Sequence, residues 1–177
     1  MSLDELLALP EPAKDIKLNV HSLLTGTLSL DEEQRWGVAL AAAFASRNVN
    51  LVEQIRASAG DHATDALVAD AYAAATLMAM SNVFYRFRHF AKKGYGEKPA
   101  RLRMNRLAQP ATNKATFELM SLAVSAINGC EACVEAHEQS VVKAGLSEDQ
   151  VYDAIRLAAN ITALATAIAG APLLAAK

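Results

Sequence analysis

The sequence predicts an all-α protein, and three observations lead to that prediction. About a fifth of the 177 residues are Ala, the strongest helix former, and only 6% are aromatic. No segment shows the sustained alternation of apolar and polar residues that is typical of a half-buried strand. Capping patterns and glycines recur at spacings that suit successive helices.

Three helices are predicted in the first half of the chain, at about residues 30–47, then up to residue 59, then 64–90. Ser29 and Glu32 have the spacing of a capping box at the start of the first helix. Asn48 and Asn50 interrupt the pattern after it, and Gly60 ends the second helix. Apolar residues recur near helical spacing along the third helix.

In the second half, a loop is predicted at about residues 92–99. Four more helices are predicted after it, at about 101–108, 113–128, 130–144 and 147–170. Pro110 ends the short helix, and Gly129 and Gly145 separate the next three. Ser147 and Gln150 form a second capping box, which opens the last helix.

Composition predicts a single all-helical domain over residues 1–177. Hydrophobic residues make up 53% of the chain and charged residues 20%, which excludes intrinsic disorder. The net charge is −2 and the basic residues form no long run, so we expect no nucleic-acid partner. The acidic N-terminus lacks the pattern of a signal peptide, which favours a cytoplasmic location.

The uncharged stretch at residues 157–176 has about the length of a membrane span. We expect no membrane association, because the stretch is mostly Ala, carries Asn and Thr, and is interrupted by Pro172. It is better interpreted as a buried helix or a subunit interface. Together with the aromatic residues Phe84, Tyr85 and Phe87, it predicts a homo-oligomer.

A weak internal duplication is also visible. When the chain is shifted by 85 residues, 33–60 matches 118–145 with 7 identities in 28 positions. This suggests two copies of one helical unit. In this alignment Ala45, Asn48 and Val52 occupy the places of the reactive residues of the second copy, so only the second copy is predicted to be active.

The strongest chemical signal is Cys130-x-x-Cys133-x-x-x-His137. On a helix these three residues lie along one stripe. Cys130 follows Gly129 at the predicted start of the helix, where free N–H groups stabilise a thiolate. His137 lies one turn beyond Cys133 and can accept its proton. The pattern is typical of a redox dithiol that closes a disulfide.

Glu118 lies one predicted helix earlier among apolar neighbours. A carboxylate there costs free energy unless it is paired. If the two helices form a hairpin, Glu118 can reach His137, fix its tautomer and raise its basicity.

Other interpretations of these residues stay open. The cysteines could be small core residues. They could also bind zinc together with His137; Glu118 would then have to be the fourth ligand, because the sequence has no second Cys/His pair. The remaining histidines, among them His89, are predicted to be surface residues without a partner. No nucleotide-binding fingerprint is present, so no bound cofactor is predicted.

At these residues the chain resembles the alkyl hydroperoxidase D family of the carboxymuconolactone decarboxylase-like superfamily. The resemblance rests on the segment 118–138, with Glu118, Cys130, Cys133 and His137, and extends to 12–19, 82–86 and 102–105. It implies an all-helical subunit, usually in a homotrimer, that acts as an antioxidant thiol peroxidase on hydroperoxides. It also implies re-reduction by dihydrolipoamide on a lipoylated dehydrogenase-complex component, and the ability to reduce the peroxiredoxin partner alkyl hydroperoxide reductase C.

The resemblance also implies residue roles. The residue matching Cys133 becomes the sulfenic acid, and the residue matching Cys130 donates a proton, resolves the sulfenic acid and forms mixed disulfides with the partner. Glu118 and His137 match the proton relay. Ala132 departs from the family, because some members carry a second histidine at this position.

Spacing and helix position disagree about which thiol attacks the peroxide. Cys133 lies nearer in sequence to His137, whereas the helix start favours Cys130 as the more readily ionised thiol; Cys133 is the preferred assignment. Two other functions are compatible with the sequence: a non-catalytic redox adaptor, and a redox-inactive decarboxylase of the same superfamily.

Overall fold

The computed structural model describes residues 3–91 and 93–175, and every regular element in these ranges is helical. The α-helices, in chain order, are α1 (Leu3–Leu6), α2 (Lys14–Thr25), α3 (Glu32–Ala45), α4 (Val49–Ala59), α5 (Asp65–Phe90), α6 (Asn105–Ala108), α7 (Lys114–Ile127), α8 (Glu131–Lys143) and α9 (Glu148–Ala175). The predicted all-α fold class is therefore confirmed.

Helices α3 and α7 form the centre of the molecule. Helix α3 packs against α5, α7 and α9, and α7 packs against α5, α8 and α9 as well. Their side chains, including Leu40, Phe117 and Leu122, are almost completely buried. Gly37 allows the close approach, since a Cβ there would lie 3.0 Å from Leu67 and 3.1 Å from Met120.

Most predicted helix starts are confirmed, because they depend on local capping. Asn48, Thr64 and Asn113 each accept a backbone N–H of the first turn at the start of α4, α5 and α7. The second capping box is present as predicted, with Ser147 and Gln150 bonded to each other in both directions.

The first capping box was assigned to the wrong pair. Asp31, not Ser29, caps α3, and its partner is Gln34. Asp is as good an N-cap as Ser, so the local pattern does not separate the two positions. The backbone N–H of Ser29 instead donates to Asp153 of α9 at 2.9 Å, a tertiary contact.

Two other boundaries differ from the prediction. Helix α6 covers only residues 105–108, and α9 continues to Ala175 with Pro172 inside it. Helices α1 and α2 were not predicted. The predicted loop is present over 93–99, and Lys92 lies outside the described residues.

The structure repeats a three-helix unit, α3–α4–α5 and α7–α8–α9. The first helices each have 14 residues, and the long third helices have 26 and 28. The first two helices of each unit start 82 residues apart, at 32 and 114 and at 49 and 131, and the third helices start 83 residues apart, at 65 and 148. The predicted shift of 85 relates only the glycines that follow the second helices, Gly60 and Gly145, because α8 is longer than α4.

This corrected register changes the counterparts of the predicted site residues. Cys130, Cys133 and His137 correspond to Asn48, Leu51 and Ile55, and Glu118 corresponds to Trp36. Leu51 and Ile55 are fully buried in the core.

Within the described residues, α5 and residues 148–174 of α9 are long and apolar enough to cross a membrane by length and composition alone. Buried helices of soluble proteins pass the same test, so this is weak evidence for a membrane span. Helix α5 packs against α3, α7 and α8 in this structure.

Candidate active site

The hairpin of α7 and α8 positions the cysteine pair. Gly129, with φ of +65°, turns the chain between the two helices, a backbone conformation that costs glycine little. The N–H of Cys130 donates to the carbonyl of Ser125 at 3.2 Å. Cys130 thereby becomes the N-cap of α8, a position at which its side chain makes no capping hydrogen bond.

Cys130 and Cys133 are joined in a disulfide, and their Cα atoms lie 5.3 Å apart. Both residues are buried, with 1% and 6% of their surface exposed. Cys133 lines a cavity, whereas Cys130 is not among the residues that line it. An incoming molecule in that cavity therefore meets the sulfur of Cys133 first.

The hairpin also brings Glu118 of α7 to His137 of α8. Nδ1 of His137 lies 2.6 Å from Oε2 of Glu118; the Glu118 side chain is buried, and the His137 side chain is 12% exposed. The contact expected from the hairpin is present. Its catalytic role stays a prediction.

The other oxygen of Glu118 accepts from Lys114, with Nζ 2.7 Å from Oε1. Burial raises the pKa of Glu118, but the hydrogen bonds and positive charges of His137 and Lys114 more than offset this. The pKa lies below its ordinary value of 4.5. Glu118 is therefore an ionised acceptor that orients the imidazole at neutral pH.

The second ring nitrogen of His137 contacts a sulfur atom. Nε2 lies 3.2 Å from Sδ of Met78 in α5. Met78 is 1% exposed. The described hydrogen bonds of the imidazole go to Glu118 and Met78, and Cys133 shares the cavity wall with His137.

The cavity has a volume of about 280 Å³ and is mostly apolar. It is lined by Met78, Ser81, Tyr85, Met104, Leu107, Ala132, Cys133, Ala136 and His137. Ala132 leaves this wall small, where some members of the resembled family carry a histidine. A small or medium-sized apolar molecule fits this space beside Cys133.

A buried polar network connects α5 to the turn before Cys130. Asn82 donates to Ser125 Oγ at 3.1 Å and accepts from Asn128 at 2.9 Å. Arg86 donates to the carbonyl of Asn128. Asn82 is fully buried, and these bonds pair its side-chain amide, which would cost free energy in the core without hydrogen-bond partners.

A buried carboxylate holds a segment that contributes to the cavity lining. Asp70 of α5 accepts from Arg106 at 2.7 and 2.8 Å, and from the backbone N–H groups of Ala111 and Thr112. The hydroxyl of Thr112 also donates to it, at 2.7 Å. These bonds hold the segment that carries Met104 and Leu107, which line the cavity.

Sequence reasoning missed Met78, Lys114 and Asp70. One sequence signal could have indicated that α5 contributes to the site: polar residues such as Asn82 interrupt its otherwise apolar side. The prediction for His89 also needs correction: it is exposed, but its Nε2 lies 3.5 Å from Glu131 at the start of α8.

Among the described residues, no group of three or more His, Cys, Asp or Glu side chains is arranged to hold a metal ion.

Residues 94–176 match the carboxymuconolactone decarboxylase family. This match covers α6 to α9 and includes the cysteine pair and its histidine.

Comparison with curated proteins identifies the particular family. The chain is 58% identical over 163 residues to the alkyl hydroperoxide reductase AhpD of Anaeromyxobacter sp. strain K, covering 91% of this chain and 87% of that protein. It is 46% identical to the protein of that name from Corynebacterium kroppenstedtii, covering 95% and 97% of the two chains. The protein of that name from Mycobacterium ulcerans is 45% identical, with 99% of each chain covered. The chain belongs to the alkyl hydroperoxide reductase AhpD family, and the predicted resemblance is confirmed.

Proposed function

We propose that this protein is an antioxidant thiol peroxidase that reduces hydroperoxides through Cys130 and Cys133. The observation that supports this most is the cavity lined by Cys133 and His137, with His137 bonded to an ionised Glu118. The family's name supports a peroxide-related oxidoreductase. The two cysteines supply the two electrons that a hydroperoxide requires.

In the proposed reaction, the thiolate of Cys133 attacks the terminal oxygen of the hydroperoxide. The S–O bond forms, the O–O bond breaks, and the departing alkoxide takes a proton to become the alcohol. The thiol of Cys130 then attacks the resulting sulfenic acid, and water leaves as the disulfide closes. One hydroperoxide and two thiols thus become one alcohol, one water and one disulfide.

His137 and Glu118 form the proposed proton relay. The imidazole accepts the proton of Cys133 and later supplies one to the alkoxide. Because Nδ1 is directed to the carboxylate, Nε2 is the nitrogen available to the cavity side. Ala132 adds no second histidine, so the relay is assigned to Glu118 and His137 alone.

We propose dihydrolipoamide as the reductant, carried by a lipoylated component of a dehydrogenase complex. One thiol of the dithiol attacks the protein disulfide to give a mixed disulfide, and its second thiol then releases the reduced cysteines and oxidised lipoamide. No bound cofactor takes part in this scheme. A peroxiredoxin of the alkyl hydroperoxide reductase C type is a second proposed partner, through a mixed disulfide with Cys130.

The two partner proposals place different demands on the site. A small dithiol arm can enter the cavity and reach Cys133. A partner protein must reach Cys130, which is 1% exposed, so the turn at Gly129 has to open for that exchange. We further propose a single domain over 1–177, a cytoplasmic location and a homotrimer.

The test is hydroperoxide turnover with dihydrolipoamide as the only reductant, in the absence of a peroxiredoxin. We expect steady consumption of cumene hydroperoxide, with no turnover by Cys133→Ala or Cys130→Ala. If only the addition of a peroxiredoxin produces turnover, the protein is a redox adaptor and the peroxidase proposal is wrong.

The same variants assign the cysteine roles. Cys130→Ala should consume one equivalent of peroxide and accumulate a sulfenic acid on Cys133, detected by a dimedone adduct in mass spectrometry. Cys133→Ala should react slowly. Sulfenic acid on Cys130 at the native rate would reverse the two roles.

A further inference from the structure

We propose that Met78 is a positioning residue for His137, and that its sulfur accepts the proton of Nε2 when the cysteine pair is oxidised. The catalytic consequence of this role rests on the proposed peroxidase function, but the contact itself does not. The proposal starts from the distance of 3.2 Å between Sδ of Met78 and Nε2 of His137.

The hydrogen-bonding capacities of the atoms decide where the protons are. A thioether has no hydrogen and acts only as a weak acceptor, so this contact is attractive only if Nε2 carries the hydrogen. On the other side of the ring, Nδ1 lies 2.6 Å from an oxygen of Glu118. Because Glu118 is an ionised acceptor, Nδ1 carries a hydrogen as well, and the ring is an imidazolium.

The surroundings of Met78 support its role as an acceptor. Three further polar groups lie near the same sulfur: Ser125 Oγ at 3.3 Å, Ser81 Oγ at 3.6 Å and Asn82 Nδ2 at 3.7 Å. A methionine placed only to fill the core would be surrounded by apolar atoms. Here the sulfur is 1% exposed and is the shared acceptor of a polar cluster.

The charges around the imidazolium are compatible with this assignment. Glu118 faces Nδ1 directly, and Lys114 lies behind it on the second carboxylate oxygen. His89 and Glu131 pair with each other at the start of α8. The negative charge nearest to the ring is therefore that of Glu118, which balances the positive charge of the ring.

The catalytic consequence follows from the position of Met78 in the cavity wall. Met78, Cys133 and His137 line the same space. By accepting the Nε2 hydrogen, the sulfur fixes the orientation of the imidazole. The Nε2 proton then lies at the cavity wall, where the departing alkoxide has to be protonated. The weak thioether bond releases that proton more easily than a carboxylate would.

Two substitutions separate an acceptor from a packing residue. Met78→Leu keeps an apolar side chain of similar volume but has no acceptor. Met78→Gln has similar length and supplies a carbonyl oxygen that can accept from Nε2. Met120→Leu is the matched control, because Met120 is a fully buried methionine that packs against Gly37 and does not line the cavity.

The first readout is the ¹⁵N resonance of the His137 ring in the oxidised protein at one fixed pH. The chain has four histidines, so His137→Phe identifies the signal. We expect Nε2 to resonate as a protonated nitrogen in the native protein. In Met78→Leu it should shift toward the value of an unprotonated nitrogen, and in Met78→Gln it should stay near the native value.

The second readout is peroxide turnover. Met78→Leu should lower kcat about tenfold, the effect of one hydrogen bond to a charged group, with KM changed less than about twofold. Met78→Gln should stay within about threefold of native, and Met120→Leu should match native.

Two results would overturn the proposal: an unprotonated Nε2 in the native protein, or equal effects of Met78→Leu and Met78→Gln on both readouts. If the native protein shows no turnover, the proposed function fails, and the nitrogen resonances still decide the role of Met78.

Discussion

Glu118 keeps its charge in a buried position because His137 and Lys114 contact its two oxygens separately. His137 lies 2.6 Å from Oε2 and Lys114 lies 2.7 Å from Oε1. The contact with His137 was predicted from the hairpin, whereas the contact with Lys114 was not. The same pairing makes the stability of the protein sensitive to acid, in a direction that can be derived.

Replacing Glu118 with Gln should remove a stabilising contribution that exists only above a certain pH. The folded-state pKa of Glu118 lies below its ordinary value of 4.5, so the carboxylate stabilises the fold above about that pH and the contribution is lost as pH falls through the folded pKa. We expect Glu118→Gln to lower the free energy of unfolding by about 1–3 kcal/mol at pH 7 and to have a progressively smaller effect below pH 4.5. Urea unfolding at a series of pH values measures this difference.

The control is Glu135→Gln, an exposed carboxylate on the same helix as His137. It should change the free energy of unfolding by less than about 0.5 kcal/mol. Lys114→Met should make the acid-induced loss begin at a higher pH than in the native protein. A pH-independent difference between Glu118→Gln and native would contradict the assigned ionisation of Glu118.

At the scale of secondary structure, the two equivalent turns of the repeat use different residues for the same backbone conformation. Arg47 and Gly129, 82 residues apart, have φ values of +61° and +65°. Each precedes the N-cap of the next helix, Asn48 or Cys130. The repeat therefore conserves the geometry of the turn, while the side chains at its caps have diverged.

Adding a side chain at Gly129 and removing the side chain at Arg47 should change the free energy of unfolding in opposite directions. Gly129→Ala should lower the free energy of unfolding by about 1 kcal/mol through backbone strain, because an added Cβ meets no atom within 4 Å. Arg47→Gly should raise it by up to about 1 kcal/mol by relieving the same strain. Gly94→Ala, also in open space but without a positive φ, is the control. Thermal unfolding measures all three, and equal effects of Gly129→Ala and Gly94→Ala would argue against strain at the turn.

The segment between α5 and α7 is held by Asp70. Burial raises the pKa of Asp70, but hydrogen bonds from Thr112, Ala111 and Arg106 lower it by more. The pKa therefore lies below the ordinary value of 3.8. The carboxylate is therefore charged throughout the neutral range and connects α5 to the backbone that precedes α7.

Asp70→Asn should destabilise this connection, since the amide leaves the buried contacts of Arg106 and the two N–H groups incompletely satisfied. We expect a loss of about 2–4 kcal/mol in the free energy of unfolding, and faster proteolysis within 101–112. Asp65→Asn, at a fully exposed side chain on the same helix, should have little effect on either measurement. Unchanged proteolysis in Asp70→Asn would show that the segment is held by other contacts.

For the whole molecule, the apolar surface that remains exposed supports the proposal of an oligomer. Val83, Phe87 and Phe90 are 59%, 51% and 69% exposed and lie at helical spacing on one face of α5. Phe84 and Tyr85 are partly buried, and they contact each other and Arg88. Leu173 and Leu174 near the end of α9 are exposed as well.

Sedimentation velocity should find a homotrimer of 18.8 kDa subunits at micromolar concentration. Phe87→Glu should dissociate it, because a buried unpaired charge is costly at an apolar interface. Leu18→Glu, at an exposed position on α2, should leave the assembly unchanged. A native species of 18.8 kDa would rule out the trimer, and an intact Phe87→Glu assembly would place the interface elsewhere.

The helical class, the family and the cysteine pair can be predicted from the amino-acid sequence, because they depend on short-range features. Caps such as Asn113 and Ser147 act within one turn of a helix, and Cys130, Cys133 and His137 are spaced along a single helix. The family resemblance rests on the same short segment. Features of this kind can be recognised without knowing which helices pack together.

The surroundings of these residues depend on long-range packing and could not be predicted from the sequence. The contact of His137 with Met78 joins residues 59 positions apart, and the bond of Asn82 to Ser125 joins residues 43 apart. The backbone N–H of Ser29, which does not cap α3, donates to Asp153, 124 positions away. Nothing in the local pattern specifies such partners, because they are determined by how α5, α7, α8 and α9 pack around the core.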